Sequence, residues 1–205
     1  MKIIIIDYKL GNSKSILNIL YKIGYHAKIS NDKQDILSAT HLILPGVGHF
    51  KKGMENLKSL ELIEVLNEKV LKEKTPILGI CLGMHLMTKF SQEGFINGLG
   101  WVDAEVVKFG LQEKTLKVPH MGWNEVFFNR GSNYSFIENP PRFYFVHSYY
   151  VKCNKVEDVL SISSYGLEFT SSFLKDNIFG VQFHPEKSHK FGMEIFKIFL
   201  NSATP

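Results

Sequence analysis

The sequence predicts an α/β fold: a central, mostly parallel sheet with helices on both faces, plus a smaller antiparallel sheet in the second half. Three observations predict it. Up to about residue 90, short apolar runs alternate with stretches of helical spacing, the rhythm of parallel strands joined by crossover helices. After Gly98 the rhythm changes to short strand-like runs divided by turn-forming clusters such as Asn129-Arg130-Gly131-Ser132-Asn133. A last buried apolar run, 178–183, and a closing helix then return to the first pattern.

Each element has its own signal. Residues 2–6 are an apolar strand that closes at Asp7. Asn12 or Ser13 caps a helix in which Ile16, Leu17, Ile19, Leu20 and Ile23 recur at helical spacing, and Gly24 stops it. Residues 25–30 and 41–44 give the next two strands, the latter ending at Pro45-Gly46-Val47-Gly48. A long amphipathic stretch spans 57–72, and the strand 76–80 leads into a helix that fades near Phe90. In the second half the strand-like runs are 101–109, 115–118, 125–128, 143–147, 149–153, 159–163 and 167–174. The closing helix, 190–200, sets Phe191, Ile195 and Phe199 on one face. No repeat, low-complexity tract or linker interrupts this order, so residues 1–205 read as a single domain.

Composition narrows the function classes. Two cysteines, Cys81 and Cys153, are too few for a disulfide framework and point to a reducing compartment. The apolar run before Asp7 is too short for a signal peptide, and no segment approaches the length of a membrane helix. The chain therefore reads as cytoplasmic, with no membrane partner. The net charge of +4 comes from dispersed lysines, with Arg130 and Arg142 the only arginines. Base and phosphate recognition favours arginine forks, so nucleic acid is not an expected partner.

The chemistry centres on Pro76-Ile77-Leu78-Gly79-Ile80-Cys81-Leu82-Gly83-Met84-His85. An apolar strand runs into Cys81 with a glycine two residues before it and another two residues after it, and helical spacing follows. Glycines flanking a nucleophile relieve crowding where a strand doubles back sharply into a helix. A thiol at a helix N-terminus is biased towards the thiolate. The local pattern alone also admits an ordinary buried cysteine in a tight turn. A reactive thiol needs a base, and the base an orienting carboxylate. Gly180-Val181-Gln182-Phe183-His184-Pro185-Glu186 offers both at the carboxyl end of a strand, where open α/β sheets place their sites. In an extended segment His184 and Glu186 project to the same side. Gly46, Val47 and Gly48 end another strand, where backbone N–H groups can form an oxyanion hole.

Together, Gly79-Ile80-Cys81-Leu82-Gly83 and His184-Pro185-Glu186 resemble the class I (triad) glutamine amidotransferases. Further similarity narrows this to the glutaminase subunits of imidazole glycerol phosphate synthases. It rests on Asp7-Tyr8 with Gly11-Asn12, Leu44-Pro45-Gly46-Val47-Gly48, Pro119-His120-Met121-Gly122-Trp123-Asn124 and Val146-His147-Ser148-Tyr149-Tyr150. The resemblance implies a Cys81, His184 and Glu186 triad that hydrolyses L-glutamine through a glutamyl thioester, with no metal or organic cofactor. It places the oxyanion and substrate contacts at Gly46, Val47, Gly48, Leu82, His85, Ser148 and Tyr149. It also implies a heterodimer in which Asn12, Trp123 and Lys187 face a (βα)8-barrel cyclase that receives the ammonia for histidine biosynthesis. Tyr8, Phe50 and Met121 read as packing residues.

Two departures stand out. The family carries glutamine four residues after the nucleophile, where this chain has His85, and Lys9-Leu10 replaces smaller residues before Gly11. They leave open a diverged paralogue that supplies ammonia to another synthetase, such as a sugar-amidating enzyme of surface-polysaccharide synthesis. A cysteine hydrolase of the same elbow-bearing superfamily and a scaffold subunit without chemistry are the remaining alternatives.

Overall fold

A computed structural model of the protein describes residues 1–110, 116–129 and 140–201. The first half supplies β1 (Ile3–Ile6), α1 (Ser13–Lys22), β2 (Ala27–Ser30), α2 (Lys33–Leu37) and β3 (His41–Leu44), then α3 (Phe50–Ser59), α4 (Ile63–Asn67), β4 (Ile77–Ile80) and α5 (Leu82–Leu86). The second half supplies β5 (Thr88–Ser91), β6 (Ile96–Asn97), β7 (Val102–Lys108), β8 (His120–Glu125), β9 (Phe127–Phe128), β10 (Arg142–His147) and β11 (Tyr149–Cys153). It ends with β12 (Val159–Ser164), β13 (Glu168–Lys175), β14 (Ile178–Val181) and α6 (His189–Asn201).

Strands β2, β1, β3, β4 and β14 lie side by side and parallel. The four-residue apolar runs of β1, β4 and β14 are buried on both faces, which explains why they lack polar alternation. Ile3 and Ile5 point to one core, with Ile16 and Leu20 of α1 and Ile195, Phe196 and Phe199 of α6. Ile4 and Ile6 point to the other, with Ile36, Leu57 and Leu66 from α2 to α4. Period two along each strand thus feeds two separate cores, and helices cover both faces. Beyond β14 the same sheet continues through antiparallel β13, β11 and β7, while β8 and β10 form a separate two-stranded sheet.

Three expectations need correction. The amphipathic stretch 57–72 is not one helix. It breaks after α3, where Glu61 takes a left-handed conformation (φ +53°), restarts as α4 and continues as a π-helical turn, Glu68–Lys72. The break lets Leu57, Leu62, Leu66 and Val70 all reach one core, which an unbroken helix cannot do at their spacing. The helix after Cys81 stops at Leu86 rather than near Phe90. The Thr88 hydroxyl there donates to the His85 carbonyl, and residues 88–91 join the sheet beside β7. The strand expected at 115–118 does not form at 116–118, and Thr115 lies outside the described residues, as does most of the 129–133 turn cluster.

Candidate active site

Cys81 stands between β4 and α5 with φ +52° and ψ −108°, a conformation that L-residues rarely adopt. Such strain costs on the order of 1–3 kcal/mol and persists only where the surroundings enforce it. The flanking glycines show how it is enforced. A Cβ on Gly79 would stand 2.7 Å from the Met87 methyl and 2.8 Å from the Met84 nitrogen. A Cβ on Gly83 would stand 1.8 Å from the Leu44 carbonyl oxygen. The bend is therefore clamped between its own helix and the end of β3. The glycine loop presses on the same point, because a Cβ on Gly46 would meet the Gly83 nitrogen at 2.6 Å and the Tyr8 hydroxyl at 2.7 Å. That hydroxyl donates to the Pro45 carbonyl at 2.6 Å and pins the loop to β1. At Gly48 (φ +113°) an added Cβ would lie 3.8 Å from a Leu10 methyl, so Leu10 of the Lys9-Leu10 departure lies beside this loop.

His184 sits just beyond β14, which is paired in parallel register with β4, so both residues leave the sheet at the same edge. His184 Nδ1 lies 2.8 Å from Glu186 Oε1, and both side chains are almost fully buried. The expected contact is present, but its geometric basis differs. Glu186 lies in a single 3-10 turn, Pro185–Lys187, not in extended chain, and the turn curls its carboxylate back onto the ring. Ser188 fixes the turn. Its hydroxyl donates to the His184 carbonyl and accepts from the Tyr144 N–H, while the His184 N–H donates to the Tyr144 carbonyl.

The other imidazole nitrogen, His184 Nε2, is buried without a hydrogen-bond partner. Burial alone depresses the ring pKa, yet the neighbouring Cys81 charge and then the Glu186 carboxylate outweigh it and hold the ring raised to about 10. The α5 helix is a single turn of five residues, so its dipole adds less to a thiolate than the longer helix read from the sequence would. A raised pKa stabilises the fold fully below the ordinary value of 6.5, and the contribution is lost as pH rises through about 10. The urea midpoint should therefore fall between these values. In Glu186→Gln the fall should be smaller and should end at lower pH, and identical profiles for the two proteins would contradict this electrostatic assignment.

Beside Cys81 lies a cavity of about 180 Å³ lined by Val47, Gly48, Leu82, His85, Ser148 and Tyr149. The sequence-derived substrate residues thus surround the sulfur, with Gly46 packed behind the loop. Val146, His147 and Glu93 complete the wall. Sequence reading gave Glu93 no role. Its carboxylate accepts the Phe50 N–H at 2.8 Å across 43 residues, and no local pattern announces so distant a pairing. Gln182 has no role in the sequence reading either, although it sits two residues before His184, a spacing that places both on one side of an extended strand.

The three expected partner residues sit on neighbouring elements. Trp123 is part-exposed on β8 and stacks on His189 with ring centroids 5.4 Å apart, and Lys187 lies over the Tyr144 ring, on β10 opposite Trp123. Asn12 has a structural task, accepting the Ser15 N–H as the N-cap of α1. Tyr8 and Phe50 are fully buried, as packing residues should be, whereas Met121 is 61% exposed and belongs to the surface around Trp123.

Residues 4–203 match the family model described as glutamine amidotransferase class-I. The chain belongs to the class I glutamine amidotransferases. This class I chain is 57% identical over 203 residues to "Imidazole glycerol phosphate synthase subunit HisH 2" of Methanococcus maripaludis, covering 98% of itself and 100% of that relative. It is 47% identical over 199 residues to the protein of the same name in Pseudomonas aeruginosa, covering 97% and 98%. In fold it is similar to a crystal structure of a glutamine amidotransferase (TM-score 0.74, 14% identity, 98% and 99% covered). It is similar too to PurLQS from Thermotoga maritima (TM-score 0.73, 17% identity, 98% and 97% covered). The strand–cysteine–helix bend and the glycine loop read from the sequence are both formed in the structure. No helix of the described residues is long and apolar enough to cross a membrane.

Proposed function

We propose that this chain, a single domain over residues 1–205, is the glutaminase subunit of an imidazole glycerol phosphate synthase in the cytoplasm. The observation that carries the reading is the buried His184–Glu186 pair beside Cys81, which itself lines a cavity of about 180 Å³, in a chain 57% identical to a HisH relative. The Cys81 thiolate attacks the side-chain amide carbon of L-glutamine. Backbone N–H groups of the Val47 region and Leu82 receive the developing oxyanion, where fixed dipoles stabilise charge best. His184, held by Glu186, protonates the leaving nitrogen, so ammonia departs and a glutamyl thioester remains. Water then adds to the thioester carbonyl, its proton passing to His184, and glutamate leaves as the thiolate reforms. Asn12, Trp123 and Lys187 face a (βα)8-barrel cyclase that takes the ammonia without release to solvent.

The chain alone should hydrolyse glutamine slowly, and the liganded cyclase should raise turnover by about tenfold or more. A Cys81-linked glutamyl group should be trapped during turnover and identified by mass. Equal turnover by isolated chain and saturated complex would refute the coupling, and indifference to glutamine in the complex would refute the activity itself. His85 and the Leu10 side chain beside the glycine loop support a second reading, in which the acceptor is another synthetase, such as a sugar-amidating enzyme. Identifying the protein that co-purifies with the chain separates the two.

A further inference from the structure

We propose that His85 and Gln182 form a relay that positions Cys81, with His85 holding the Gln182 amide so that its N–H group is aimed at the sulfur. The inference rests on Cys81 being the nucleophile. His85 lies one helical turn beyond Cys81, so α5 returns it to the same side of the cavity. Its Nε2 is 2.7 Å from Gln182 Oε1, and Gln182 Nε2 is 3.7 Å from Cys81 Sγ. His85 and Gln182 are 4% and 0% exposed, so water does not compete for either contact.

The chain has one self-consistent polarity. As a thiol, Cys81 donates towards the Val146 carbonyl, with 3.9 Å between sulfur and oxygen. Once the thiol ionises, that carbonyl repels the sulfur and a donor must replace it. The Gln182 N–H group is such a donor, and aiming it at the sulfur turns Oε1 towards His85. An acceptor oxygen there requires a hydrogen on Nε2, so the neutral ring is fixed as the Nε2–H tautomer with Nδ1 left as acceptor. Burial pushes His85 down to about 4 and keeps the ring neutral at working pH. Gln182 thus contacts the reacting atom, and His85 is a positioning residue acting through it. The other titratable groups around the sulfur are His184 with Glu186, Tyr8 from the end of β1, and His147 and Glu93 in the cavity wall. None of these reaches the Gln182 amide by a hydrogen bond among the described residues.

The test is the pH dependence of Cys81 alkylation by iodoacetamide in the full chain, read on the Cys81 peptide by mass spectrometry so that Cys153 does not interfere. In Gln182→Met the midpoint should rise by about one pH unit, a tenfold loss of thiolate below it. His85→Leu should shift it in the same direction, and His85→Gln, whose amide can still donate, should restore the wild-type midpoint. Wild-type midpoints in both Gln182→Met and His85→Leu would overturn the relay. So would a shift in Gln182→Met alone, or a His85→Gln midpoint displaced as far as that of His85→Leu. Should the variants fail to fold, nitrogen-15 NMR of the wild-type ring decides: a neutral Nε2–H tautomer supports the relay and Nδ1–H overturns it. Neither readout uses glutamine, so failure of the glutaminase reading and failure of the relay are told apart.

Discussion

Cys81→Ala is expected to lower glutamine-dependent synthesis by the complex on the order of 10⁴-fold or more, while synthesis from added ammonia stays near wild type. The magnitude follows from removing a nucleophile whose partners then have nothing to act on, an effect of that order in other covalent hydrolases. His184 and Glu186 would keep their 2.8 Å contact but lose the group they serve. The fold should survive, since alanine occupies less space than the sulfur at a position already 7% exposed, with neighbours held by β4, β14 and the glycine loop. The division of labour is what this experiment probes. Loss of both glutamine-dependent and ammonia-dependent synthesis would mean that Cys81 supports the partner's reaction rather than glutamine hydrolysis.

Gly83→Ala is expected to be among the most disruptive single methyls near the active site. The new Cβ would lie 1.8 Å from the Leu44 carbonyl oxygen and 2.8 Å from the Leu44 carbonyl carbon. Both are backbone atoms of β3, whose residues 42–44 are hydrogen-bonded into the sheet against β4, so the contact cannot be relieved by a rotamer. Overpacking of this kind costs about 3 kcal/mol or more. For a domain of this length that is roughly 6–12 °C in melting temperature. Because β3 leads into the glycine loop, activity should fall with stability as the loop is pushed off the elbow. Gly110→Ala is the control, for its Cβ meets nothing within 4 Å. Equal melting temperatures for the two variants would show that the elbow is not clamped as described.

Much of this site is legible in the sequence. Gly79 and Gly83 around Cys81 gave the bend, and each is now seen to be glycine because a side chain would collide with specific atoms. His184 and Glu186 were found by position and type, but through an extended geometry that the 3-10 turn does not have. The error is instructive, since a two-residue spacing brings side chains together in more than one backbone form. The helix after the cysteine, expected to fade near Phe90, ends at Leu86 because the sheet captures residues 88–91 as β5. There tertiary pairing overrides local pattern.

The sequence by itself determined the α/β order, the parallel strands, the strand–cysteine–helix bend and the choice of His184 and Glu186 as the groups beside it. Those features are local, written in apolar periodicity and in glycines a few residues apart. Only the tertiary structure decided that the antiparallel strands β13, β11 and β7 extend the same sheet, that Leu10 lies beside the glycine loop, and that His85 holds Gln182 against the sulfur. These contacts join residues as much as 101 positions apart. Their energy depends on distance and burial in the folded chain, quantities that no short window of sequence contains.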